Sequence, residues 1–300
     1  MRKTILTILI IFAWVTAVTA QERLVPLSGN PLLHALRNSH TQAEMKAGGQ
    51  VFLSLPFVDD FSDLSSPWPS SLRWADRDAF INTSYPLNPP TLGVATLDVI
   101  DDTGAVHAGA SYSAFPADEL TSQFIRLDSS FAGIPRPLSP ADSVYLSFWY
   151  QPQGLGNDPD PGDILELQFL EAWHVDTIID SINPPYDTTF IDVWNTVWTS
   201  DGMSLEVFQQ KKGDYWAQVM IAVDDPIYFR RDFKFRFRNF GSLADNTLPS
   251  WQSNVDHWHI DYVYLDAGRE AAEPGVADIT LVTPAYSLLK TYDVLPYSQF

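Results

Sequence analysis

From Val51 to Leu265 apolar residues recur at every second position, in short runs separated by turn residues. That period puts successive side chains on opposite faces and restricts the chain to β-structure. The runs are Val51–Val58, Thr91–Ile100, Ser122–Leu127, Val144–Tyr150, Ile164–Leu170, Trp216–Val223, Phe233–Phe240 and His257–Leu265, all enriched in β-branched and aromatic residues. Ser65-Ser66-Pro67-Trp68-Pro69, Asn88-Pro89-Pro90, Gly154 through Gly162 and Lys211-Lys212-Gly213-Asp214 punctuate them as turns and breakers. Many strands, turn-rich joints and little helical period predict an all-β fold over residues 51–268. The expected architecture is a two-sheet antiparallel β-sandwich of the jelly-roll kind. Alternating segments on either side of Asn183-Pro184-Pro185-Tyr186-Asp187 predict an extra hairpin projecting from it.

The ends read differently. Met1-Arg2-Lys3, an apolar run from Thr4 to Val18 and the small-residue exit Thr19-Ala20 describe a signal peptide over residues 1–20. Its apolar run is short for a bilayer span, and no later stretch approaches one, so the mature chain is expected without a membrane span, secreted or at the cell surface. In residues 21–50, Asn30-Pro31 is a helix start, Leu32, Leu33 and Leu36 share a face, and Gly48-Gly49 ends the pattern. This segment is expected to be partly helical or disordered. Residues 269–300 read as a linker and the start of a further, incomplete domain, which is expected of a longer protein or of a truncated gene.

The chain has no Cys, so an exported form must be held by core burial rather than by disulfides, with bound ions as a further source open to it. Its formal charge is −19, and loss of Arg2 and Lys3 with the signal leaves −21. An acidic surface of that size repels phosphate backbones, which argues against nucleic acid as a partner.

Several constellations carry possible chemistry. On a regular strand His257, His259, Asp261, Val263 and Leu265 share one face, opposite Trp258, Ile260, Tyr262 and Tyr264. His-x-His-x-Asp suits a transition metal if further ligands converge, or two hydrogen-bonded histidines if they do not. Asn157-Asp158-Pro159-Asp160-Pro161-Gly162-Asp163 supplies oxygen ligands, or a solvated turn. Glu166-Leu167-Gln168-Phe169-Leu170-Glu171 invites comparison with laminarinase-type glycosidases, whose paired carboxylates work from one face. Strict alternation puts Glu166 and Glu171 on opposite faces unless a bulge intervenes. Phe233 to Arg238 alternates apolar with basic, so its basic face is expected to pair with acids across strands or to meet an anion. Loop tryptophans are candidates for stacking on sugars, and Trp68 and Trp251 are the two that lie among turn residues.

Phe57-Val58-Asp59-Asp60-Phe61-Ser62, Asp118-Glu119-Leu120-Thr121-Ser122, Leu146-Ser147-Phe148-Trp149-Tyr150-Gln151-Pro152-Gln153-Gly154 and Ile260-Asp261-Tyr262-Val263 occur in that order. The series resembles the signatures of MAM-like, concanavalin-like jelly rolls. It is similar to the adhesin modules of Bacteroidetes surface proteins exported by type IX secretion. The chain departs from vertebrate MAM domains in lacking their cysteines. What the resemblance implies is a non-catalytic adhesion or recognition module for a glycan or a surface protein. It also implies a structural calcium ion held by Asp60 and Asp261, with Asp59 a further candidate. The alternatives are a structural component of the surface or export machinery without a small ligand, and a laminarinase-like glycoside hydrolase.

Overall fold

The computed structural model describes residues 52–178, 187–243 and 255–273. The segments expected to form a signal peptide and an N-terminal helix, the centre of the expected extra hairpin, Trp251 and residues 274–300 lie outside the described residues.

In chain order the strands are β1 (Phe52–Leu53), β2 (Phe57–Asp59), β3 (Phe80–Asn82), β4 (Val94–Leu97), β5 (Phe115–Thr121), β6 (Phe124–Ile125), β7 (Ser129–Ser130) and β8 (Arg136–Pro137). They continue as β9 (Tyr145–Pro152), β10 (Leu165–Ile178), β11 (Asp187–Ser200), β12 (Ala217–Ala222), β13 (Phe235–Gly241) and β14 (Trp258–Asp266). One antiparallel sheet runs β12-β9-β14-β4-β3, with β2 also on β14, and a second runs β11-β10-β13-β5. The chain is an all-β sandwich, as the period of two predicts.

Between the sheets lies one apolar core. Phe148, Trp258 and Ile260 come from the first sheet, and Leu165, Leu167, Phe169, Phe235 and Phe237 from the second, all fully buried. Phe148 and Phe237 meet edge to face with centroids 4.7 Å apart, a favoured aromatic arrangement. Each such side chain stabilises the fold by roughly 1.5–3 kcal/mol, which is the source of stability open to a chain without disulfides.

The extra hairpin is an extension rather than an addition. β10 pairs with β13 only from Leu165 to Phe169, while its pairing with β11 continues to Ile178. The outer face of β13 is basic and is matched by acids: Arg236 binds Glu119 at 2.7 Å, and Arg238 binds Glu166 at 2.6 Å. Glu166 and Gln168 thus face outward, whereas Glu171 acts on Tyr228, which packs against Phe169 on the core side. The two glutamates do not converge, despite a register shift between Leu170 and Ala172.

The free edge of β5 is closed by side chains. Asp76 accepts the Thr121 N–H and Asp78 accepts the Glu119 N–H, so carboxylates stand where a neighbouring strand would. One helix was not expected from the sequence: α1 (Leu205–Lys212), capped by Ser204 and ended by Gly213 at φ 84°. Only Leu205 and Phe208 are buried in it, too few for a helical period to stand out.

Candidate functional site

β14 changes neighbour along its length. Trp258 to Ile260 pair with β4, whereas Val263 to Leu265 pair with β2. Its register with β9 shifts between Asp261 and Tyr264, and Tyr262 adopts φ 48°. The shift inserts a residue and reverses facing. Trp258 and Ile260 point into the core before it, Val263 and Leu265 after it. Regular alternation along this strand is therefore corrected: Val263 and Leu265 do not share the face of His257, His259 and Asp261.

That face is covered rather than open. His257 stacks on Tyr85 at 5.0 Å and its Nδ1 accepts the Asn157 N–H. His259 Nδ1 accepts from the Thr96 hydroxyl at 2.8 Å, which itself accepts from Asn82 Nδ2, leaving Nε2–H to donate to the Gln153 carbonyl. Burial lowers the two histidines to about 4 and about 3. Both stay neutral at physiological pH, and both ring nitrogens of His259 are committed to protein partners. Among the described residues no three His, Asp or Glu side chains form a metal-ligand group, and the His-x-His-x-Asp set does not assemble as one.

Asp261 sits where the partner strand changes, in the gap between the start of β4 and the end of β2. Its carboxylate accepts the Thr91 N–H at 2.8 Å and the Tyr262 N–H at 2.6 Å. Thr91 Oγ1 lies 2.8 Å from Asp261 Oδ1, 2.8 Å from the Asp60 carbonyl and 3.2 Å from the Gly93 carbonyl. A hydroxyl has one proton to donate, so it cannot satisfy three acceptors. Burial pushes Asp261 up to about 7, and the neighbouring Asp60 charge adds to the rise. A proton on Asp261 or a hard cation relieves such a cluster. Carboxylate, carbonyl and hydroxyl oxygens are the ligand types calcium takes, and these residues fit one. The Asp60 carboxylate itself turns to the Ser62 N–H and hydroxyl. Asp59 is engaged elsewhere, accepting from Trp74 Nε1 at 2.7 Å and from the Phe61 N–H.

The same segment walls a cleft of about 340 Å³. Phe61, Trp68 and Ile81 give it apolar surface, Leu72 stands exposed in its lining, and Arg73 and Arg77 supply cations. Trp68 is largely buried, with the Arg77 guanidinium over its ring at 5.5 Å. Asp59 and Asp63 also border the cleft. Burial holds Asp59 above the usual carboxylate range, and hydrogen bonds from Ser65 hold Asp63 below it. Gly93 ties cleft and oxygen cluster together: a Cβ there would overlap the Phe61 carbonyl, so the two backbones meet only at glycine. The sequence points to Asp261, Asp60 and Trp68, but not to Thr91, which acts through its hydroxyl and N–H, or to Gly93, which acts through backbone approach.

No family model matches the chain, and no curated protein matches it. Among the described residues no helix is long and apolar enough to cross a membrane.

Proposed function

We propose that this chain is an exported, non-catalytic recognition module that binds a glycan in the Trp68 cleft, with a calcium ion at Asp261 bracing the cleft wall. The observation that carries the reading is the junction of the two features. Asp60 and Phe61 belong to the cleft segment, and Thr91 joins them to Asp261. A cation there would hold the Asp60 and Gly93 carbonyls, the Thr91 hydroxyl and the Asp261 carboxylate, and would fix the wall that presents Phe61. Aromatic and aliphatic surface beside a few convergent polar groups is the usual make-up of small-ligand sites.

A glycosidase reading draws on Asp59 and Asp63, two carboxylates at one cleft whose environments push them in opposite directions. Both oxygens of Asp59 are already accepting hydrogen bonds, from Phe61 and Trp74, which favours a structural role for it.

The test has two readouts on the purified chain. Calcium at millimolar concentration is expected to raise the thermal midpoint at pH 7.5, since a ligand of the native state stabilises it, and Asp261→Asn removes that rise. A glycan array is expected to return binders without product release on prolonged incubation. An unchanged midpoint with calcium overturns the ion. Sugar cleavage abolished by Asp59→Asn overturns the non-catalytic reading, and an array without binders overturns glycan recognition.

A further inference from the structure

Nine arginines lie among the described residues, and six of them form ion pairs: Arg126, Arg136, Arg230, Arg236, Arg238 and Arg269. Of the other three, Arg231 lies over the Phe52 ring, and Arg73 and Arg77 both line the cleft. On a chain of formal charge −19, two of the three described arginines without an ion pair thus line one cavity. Arg73 acts on Asp59 and Asp63 through space, as a smaller cause than their hydrogen bonds.

Arg77 is also pre-oriented. Its guanidinium lies 5.5 Å from the Trp68 ring centroid, within cation–π reach, and no carboxylate among the described residues takes its forked N–H donors, which suit a bidentate contact. Carboxylates and phosphates are the partners that match such a fork. The remaining lining narrows the choice. Phe61, Ile81 and Leu72 offer apolar contact, and Ser66, Ser70 and Ser71 offer hydroxyls, a mixture suited to a ring that carries both C–H faces and hydroxyl groups. At about 340 Å³, the cavity is at the small end of ligand sites, which run from about 300 Å³ upward, and has room for one or two sugar rings.

We propose that the cleft binds a sugar bearing a carboxylate, a hexuronate unit of an acidic glycan, with the acid group on Arg77 and Arg73 and the ring against the exposed Leu72. This rests on the reading of the chain as a glycan-recognition module and adds the charge of its ligand. A single acid group suits the site better than a dense polyanion, because the acidic surface of the chain opposes a close approach of many negative charges.

The test is calorimetric titration of the full chain, with calcium present, against three probes. They are a panel of hexuronate oligosaccharides, the same oligosaccharides with their carboxyl groups reduced to alcohols, and a short peptide with a free C-terminal carboxylate. The acid forms are expected to bind at least tenfold more tightly than the reduced forms, and that margin is expected to vanish in Arg77→Gln. Arg73 is exposed, so Arg73→Gln serves as a second variant that leaves the Trp68 packing alone, and its midpoint is checked against the parent. Equal binding of acid and reduced sugars overturns the inference while glycan recognition stands. Binding of the peptide alone overturns it in favour of a protein ligand. No binding of any sugar by a folded chain overturns both readings together.

Discussion

Thr91 hydrogen-bonds both oxygens of the Asp261 carboxylate across 170 positions of sequence, its N–H to Oδ2 and its hydroxyl to Oδ1, each at 2.8 Å. The pair closes the opening left where β14 leaves β4 for β2. Thr91→Val keeps the volume and the N–H but removes the hydroxyl. Losing a hydrogen bond to a charged group costs about 1.5–3 kcal/mol, and a domain of this size loses roughly 2–4 °C per kcal/mol. Differential scanning fluorimetry without calcium at pH 7.5 is expected to show a midpoint lower by several degrees. A parental midpoint would mean that the hydroxyl contributes nothing to the closure.

Stability is expected to fall as pH rises from about 5 to 8. Burial raises Asp76 and Asp261 to about 7 and Asp256 to about 8, so the native state binds more protons than the unfolded chain across that window. The stabilisation is fully present below the unfolded carboxylate value and is lost as pH rises through the folded values. The histidines run the other way: lowered to about 4 and about 3, they contribute stability above about 6.5 that is lost as pH falls. The two windows overlap between about pH 4 and 6.5, where three carboxylates outnumber two histidines, so urea midpoints are expected to peak near pH 4 and to fall from there to pH 8. Asp76→Asn keeps an acceptor for the Thr121 N–H and cannot ionise. It is expected to raise the midpoint most at pH 8 and to leave it nearly unchanged only near pH 4 and below, and an unchanged pH profile would reject this account.

Gly93→Ala is expected to destabilise the chain by more than the usual helix or strand propensity effect, because the new methyl overlaps the Phe61 carbonyl, a backbone atom that cannot rotate away. A loss of roughly 1–3 kcal/mol is the scale for overpacking. If chemical denaturation shows less than about 0.5 kcal/mol, the approach of β4 to the cleft wall is looser than described.

Arg238→Met leaves Glu166, nearly buried, with Gln168 and Thr196 as its remaining partners. The single change is expected to cost about 1.5–3 kcal/mol, as for loss of a charge-assisted hydrogen bond. Adding Glu166→Leu is expected to recover most of it, because replacing both members of a desolvated pair by apolar groups is often neutral. A double variant no better than the single one would show that the charged pair itself stabilises the sheet.

The strands were legible because alternation is a local property, visible at Phe233 to Arg238 without any knowledge of neighbours. The facing of Val263 and Leu265 was not, since it depends on β14 exchanging β4 for β2 at Asp261, and no local pattern records a change of partner. α1 left a readable trace in Ser204, Glu206, Lys211 and Gly213, but its two buried residues were too few to mark a period. Asp261 stood out from sequence as a carboxylate in an apolar strand. Thr91, its partner, lies in a Pro-rich joint that reads only as a turn. Trp68 read as a loop aromatic, and the fold instead buries it as the support on which Arg77 rests.

The reversal at Asp261 and Tyr262 also says how this protein can and cannot drift in length. Deleting Tyr262 would remove the extra residue and keep Val263 and Leu265 inward, but would abolish the turn that brings its N–H onto Asp261, while a further insertion would turn Val263 and Leu265 out to solvent. The hairpin of β10 and β11 is under no such constraint beyond Phe169, where β13 ceases to accompany it. Over time, changes in chain length are expected to accumulate in that arm and to be purged at the closing strand, so that any relatives align through Asp261 without gaps.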